Sequence, residues 1–86
     1  MAHNVRRVRV RFTQSARRHR IGRARALHVM DTVEPTVVPA DDTVPERRVW
    51  VGPDDRGVEL EIVAIVEPDH LHVIHVMPCH LRRRDR

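Results

Sequence analysis

The chain has 86 residues, a formal net charge of +4 from sixteen arginines and no lysine, and one cysteine. That length supports one small domain, residues 1–86, with a thin core. The lone Cys79 excludes a disulfide within the chain and points to a reducing cytoplasm. The N-terminal stretch MAHNVRRVRVRF lacks the apolar region of a signal peptide. No apolar run approaches the ~20 residues of a membrane span, so no membrane partner is expected.

Charge is segregated along the chain. Residues 1–30 carry nine arginines and no carboxylate, whereas residues 31–80 carry eleven carboxylates against three arginines. Such asymmetry favours a polyanion as partner of the basic ends. Phe12 and Trp50 are the only aromatic residues, which disfavours a stacking platform for bases.

In chain order, residues 5–12 (VRRVRVRF) alternate with period two, the pattern of a half-buried strand. Val8, Val10 and Phe12 fall on one face. Arg7, Arg9 and Arg11 fall on the other, either as a solvated face or as a ladder for phosphates. Thr13 reads as the cap of a helix over TQSARRHR. Gly22 interrupts it, and a second helix follows over RARALHVMDTV, with Ala26, Val29, Met30 and Val33 spaced as a core stripe. Residues 34–45 hold three of the six prolines and read as a connecting loop. ERRVWVG is the next strand, PDDRG a turn, VELEIVAIVE a long strand, and residues 70–77 the last strand, stopped by Pro78. The expected class is α+β: β-αα-βββ, an antiparallel sheet with helices packed on one face and the other face open. Residues 82–86 form a basic, flexible tail.

The last strand contains the densest chemistry, HLHVIHVMPCH at residues 70–80, with four histidines and Cys79. Zinc sites favour CxxC or HxxxH spacings and four ligands. No second cysteine–histidine cluster exists, and His3, His19 and His28 lie among arginines, so neither a metal nor another cofactor is expected. Strand alternation puts Leu71, Val73 and Met77 on one face, with His75 as its only polar member. His72 then points to the open side and His75 inside, while the opposite parity exchanges those roles.

Several stretches together resemble a family. They are Ser15-Ala16-Arg17 followed by His19 and Ile21, Asp31 to Pro35 at the end of the second helix, and Glu46-Arg47 leading to Trp50-Val51-Gly52. The last strand, Leu71 to Pro78, completes the set. Over residues 5–82 this order is similar to small BrnT-like toxins, which share the fold of RelE-type ribonuclease toxins. The resemblance implies a RelE-like fold and the toxin of a type II toxin–antitoxin system. It further implies an endoribonuclease acting on mRNA and a hetero-oligomer with a cognate antitoxin protein. The chain departs from the pattern where those families carry a Ser-Ala-Arg in the last strand, and it has neither lysine nor tyrosine.

Metal-free RNA cleavage needs a base for the 2′-hydroxyl, a positive clamp on the phosphate and an acid for the leaving oxygen. His72, then His75, are the expected catalytic acid and base, with Glu46 as a further candidate base. Arg7, Arg9, Arg11, Arg17, Arg47, Arg48 and Arg82 are the candidate RNA-binding residues, with Arg47 or Arg48 sharing the face of the ladder. The competing reading is a non-catalytic nucleic-acid-binding or adaptor module that uses the same basic face.

Overall fold

The structure, a computed structural model, describes residues 8–84, with side chains through Leu81. Five strands form one sheet: β1 (Arg9–Phe12), β2 (Thr36–Val38), β3 (Arg47–Pro53), β4 (Glu59–Val66) and β5 (His70–Pro78). Their spatial order is β1-β5-β4-β3-β2. β2 to β5 run as an antiparallel meander, and β1 lies parallel to β5. The fold is therefore α+β, but the sheet is mixed rather than antiparallel throughout. Pairing strands so distant in sequence requires a crossover, which the helical segment between β1 and β2 supplies.

Between β1 and β2 the expected pair of helices reduces to one. Thr13 does cap the chain, its Oγ1 accepting a hydrogen bond from the Ala16 N–H at 3.1 Å. It opens only a 3₁₀ turn over Ser15–Arg17, because Arg20 then enters the left-handed region at φ 57° and stops any continuation. The regular helix α1 covers Arg23–Thr32. Its charges run against its dipole: Arg23 and Arg25 stand in the first turn, which holds no acid, and the last turn has no base. Such placement costs a few tenths of a kcal/mol per charge, roughly 0.3–1. Arg25 is recovered by pairing with Asp54 at 2.6 Å.

α1 lays Ala26, Val29 and Met30 on the sheet, where they meet Trp50, Leu60, Ile62, Ala64, Leu71, Val73 and Val76 in one core. Each large aliphatic side chain there contributes roughly 1.5–3 kcal/mol. The end of α1 comes so near β3 that a Cβ on Gly52 would sit 2.7 Å from Val33 Cγ1. A side chain at that position would force Val33 to shift.

Residues 34–45 are not wholly loop. Thr36–Val38 pair with β3 as an edge strand, and prolines flank it at 35 and 39, positions an edge tolerates. The turn between β3 and β4 is built on Asp54, whose Oδ1 accepts the N–H groups of Arg56 (2.8 Å) and Val58 (2.9 Å). Gly57 closes it at φ 83°. Pro78 is the last residue of β5, and α2 (Cys79–Arg84) begins at once. The expected flexible tail over 82–86 falls on residues whose side chains, and at 85–86 whose backbone, lie outside the described part. Among the described residues no helix is long and apolar enough to cross a membrane.

Candidate functional site

α1 and the core occupy one face of the sheet, and ladder partners share a face. The register therefore gives the composition of the other face directly. Arg9 is opposite His70, Arg11 opposite His72, Ile65 opposite His72, Val63 opposite His75 and Arg47 opposite Ile65. Arg9, Arg11, His70, His72, His75 and Arg47 thus belong to one open surface, around a centre formed by Val49, Val63 and Ile65.

His75 reaches that surface because β5 is not a regular strand. Ala64 pairs with Val73 and Val63 with His75, so Ile74 has no ladder partner and forms a β-bulge. An extra residue reverses the alternation from that point on. Leu71 and Val73 face the core before the bulge, and Val76 faces it afterwards. The expectation that His75 lies inside is corrected: its side chain is 36 % exposed and on the same side as His72. Strict parity made the two histidines alternatives, and the bulge makes them neighbours on one face.

His75 is held from β4. Its Nε2 lies 3.1 Å from Glu61 Oε1, and the Glu61 side chain is only 15 % exposed. A carboxylate in that position fixes the imidazole's orientation and favours the tautomer with a proton on Nε2. Sequence alone does not single out Glu61. Its outward parity was legible, but its diagonal relation to His75 depends on the shifted register. At the other end, His70 Nδ1 lies 2.8 Å from Asp69 Oδ1. That hydrogen bond holds the Asp69 carboxyl below its ordinary range. The His70 and His72 rings are 5.6 Å apart and tilted by 52°.

The arginines divide. Arg9 and Arg11 are exposed on the open face. Arg47 joins them across the sheet, and its Nε is buried without a hydrogen-bond partner among the described residues. Arg48 faces the opposite way, paired with Ala64 and Val37, and its Nε is 3.7 Å from Glu46. Glu46 is thereby drawn to Arg48, just before β3, and among the described residues no hydrogen bond or ion pair joins it to a histidine. Arg17 is exposed on the 3₁₀ turn beyond the end of β1. Arg7 and the Arg82 side chain lie outside the described residues.

Chemically, the face offers guanidiniums for phosphate binding and two imidazoles for proton transfer. It also carries two carboxylates, Glu59 and Glu61, opposite Pro53 and Val51. Among the described residues no three His, Cys, Asp or Glu side chains cluster so as to hold a metal ion. No family model, curated protein or solved structure matches the chain, so its function has to be read from the chemistry of this face.

Proposed function

We propose that the open sheet face binds RNA and cleaves it without a metal ion, and that the chain is the toxin of a type II toxin–antitoxin pair. One observation carries the cleavage reading: the bulge at Ile74 brings His75 to the same face as His72, the face on which Arg9 and Arg11 stand opposite His70 and His72. The toxin assignment and its antitoxin partner, a RelE-like architecture included, rest on the sequence resemblance over residues 5–82.

The chemistry is an intramolecular transfer. A neutral imidazole removes the proton of a 2′-hydroxyl, whose oxygen attacks the adjacent phosphorus. The bond to the 5′-oxygen breaks, and a protonated imidazole returns a proton to that oxygen. The products are a 2′,3′-cyclic phosphate and a 5′-hydroxyl, with no water consumed. His75, oriented by Glu61, and His72, beside Arg11, are the residues for the two proton transfers. Arg9 and Arg11 stabilise the charge that builds on the phosphoryl oxygens.

The purified chain, free of any partner protein, is expected to cut RNA in the presence of EDTA and leave cyclic phosphate ends. Inducing it in cells is expected to arrest growth. Intact RNA and normal growth would end this reading. One observation favours a second reading, nucleic-acid binding without catalysis: Glu59 and Glu61 set negative charge on the face where a phosphate would have to sit. That reading expects binding that weakens steeply with salt, no cleavage, and indifference to the loss of either histidine.

A further inference from the structure

Beyond the end of β1, away from the histidine face, lies a second group of arginines. Arg17, Arg20 and Arg23 line a half-open cavity of about 290 Å³, closed by Phe12, Ile21 and Gly22. Among the described residues no carboxylate lines it. Arg23 is fixed in place: its Nη2 donates to the Val10 carbonyl at 3.2 Å, and its guanidinium lies 5.1 Å from the centre of the Phe12 ring. Arg20 is the one non-glycine residue with positive φ among the described residues. A conformation that side chains rarely adopt thus carries Arg20 to this cavity.

Three like charges around one cavity repel one another unless an anion lies between them. Elsewhere the fold supplies such anions, as Asp54 does for Arg25. Here the described residues supply none. Guanidinium forks match phosphate geometry in pairs of hydrogen bonds. An internal phosphodiester offers one negative charge and must enter and leave the cavity as a strand. A phosphate monoester offers close to two charges and three acceptor oxygens at a chain end. The volume, roughly ten water molecules' share, is enough for a phosphate group.

We propose that this cavity is a binding site for a phosphate monoester, taken as the phosphorylated end of a nucleic-acid strand. That the strand is RNA rests on the function proposed above, whereas the monoester preference stands on the cavity alone.

The test uses 2′-O-methyl oligonucleotides, which cannot be cut by 2′-hydroxyl attack, so binding is read apart from cleavage. Three oligonucleotides of one sequence carry a 5′-phosphate, a 3′-phosphate, or hydroxyls at both ends, and affinities are measured by fluorescence anisotropy. One phosphorylated form is expected to bind at least tenfold tighter than the hydroxyl form. Inorganic phosphate at millimolar concentration is expected to erase the difference.

Gly22 supplies the decisive variant. Its φ of −63° and ψ of 150° are those of a helix N-cap, and a Cβ there meets nothing within 4 Å. Gly22→Asp therefore caps α1 and leaves the melting temperature equal or higher, yet puts a carboxylate among the three arginines. It is expected to abolish the preference for the phosphorylated end, as is the double variant Arg17→Gln/Arg20→Gln. Arg18→Gln, which removes a charge outside the cavity, is expected to preserve the preference. Equal binding of all three oligonucleotides, or a preference that survives Gly22→Asp, overturns the proposal. A preserved preference in a chain that never cuts RNA removes the ribonuclease reading and leaves this site standing.

Discussion

The two faces of this sheet are made from the same strands and obey different rules. The face under α1 is aliphatic and closed, with Leu60, Ile62, Ala64 and Val73 fully buried. The opposite face carries Arg9, Arg11, His72, His75 and Glu61 around a modest apolar centre. Alternation along each strand separates the residues that hold the fold from those free to do chemistry. The core residues of β5 accordingly dictate where its histidines go. Both Val73 and Val76 have to face α1, a spacing of three that a regular strand cannot satisfy. The unpaired Ile74 resolves that conflict and carries His75 outward.

Four experiments test the contrast between the faces. The largest effect is expected from His72→Ala or His75→Ala, each lowering RNA cleavage by about 10²–10⁴-fold. The denaturation midpoint is expected to stay near that of the parent chain, since neither side chain is part of the core. Cleavage rates that resist both changes would remove the acid–base assignment.

Deleting Ile74 is next. It restores simple alternation and leaves both histidines outward, but shortens the path between them. Cleavage is expected to fall on the order of 100-fold, as misplacement of a catalytic group does, while RNA binding by anisotropy stays within a few-fold. Unchanged cleavage would show that the side matters and the spacing does not.

On the helix side, Met30→Ala is expected to cost about 2–5 kcal/mol in urea denaturation. Val51→Thr on the open face is expected to change stability by no more than about 0.5 kcal/mol. Similar costs for the two would mean that the open face is covered in solution.

The smallest effect concerns acid. Burial alone would raise the Asp54 carboxyl, but hydrogen bonds from Arg25 and from the Val58 and Arg56 N–H groups outweigh it and hold the pKa below the ordinary 3.8. A group depressed on folding stabilises fully above its unfolded pKa and loses that contribution as pH falls through the lower, folded value. Stability is therefore expected to drop as pH is taken below about 4. In Asp54→Asn that drop is smaller and starts from a less stable protein, which urea midpoints at several pH values will read. Asp41 and Asp69, also depressed by hydrogen bonds, keep part of the acid sensitivity.

The elements with strong local signals were legible in the sequence. The alternation of Val10 and Phe12 with Arg9 and Arg11, the stripe of Ala26, Val29 and Met30, and the long strands after Pro45 all stand where their patterns put them. What escaped was set by contacts between distant residues. Nothing in residues 9–12 says that their partner is β5, or that the pairing is parallel. The stretch from Thr13 to Arg20 has the polarity of a helix, and only the turn at Arg20 ends it after a single 3₁₀ turn. The bulge is the most consequential case, because Ile74 is an ordinary strand residue without the glycine or proline that usually marks one. Parity therefore assigned His72 to the open face correctly and His75 to the wrong one.

The pairing of β1 with β5 also has a kinetic consequence. Every partner pair in that ladder is 61 positions apart, so joining them closes the longest loop in the fold. Loop closure of that range costs more entropy than the local meander β2 to β5, so β1 is expected to dock after the meander. Until β1 docks, Arg9 and Arg11 are not beside His70 and His72, and the mixed arginine–histidine surface does not exist. A meander without β1 would carry the histidines without Arg9 and Arg11 beside them. The surface that joins the arginines to the histidines is therefore complete only once the longest-range pairing of the sheet is made.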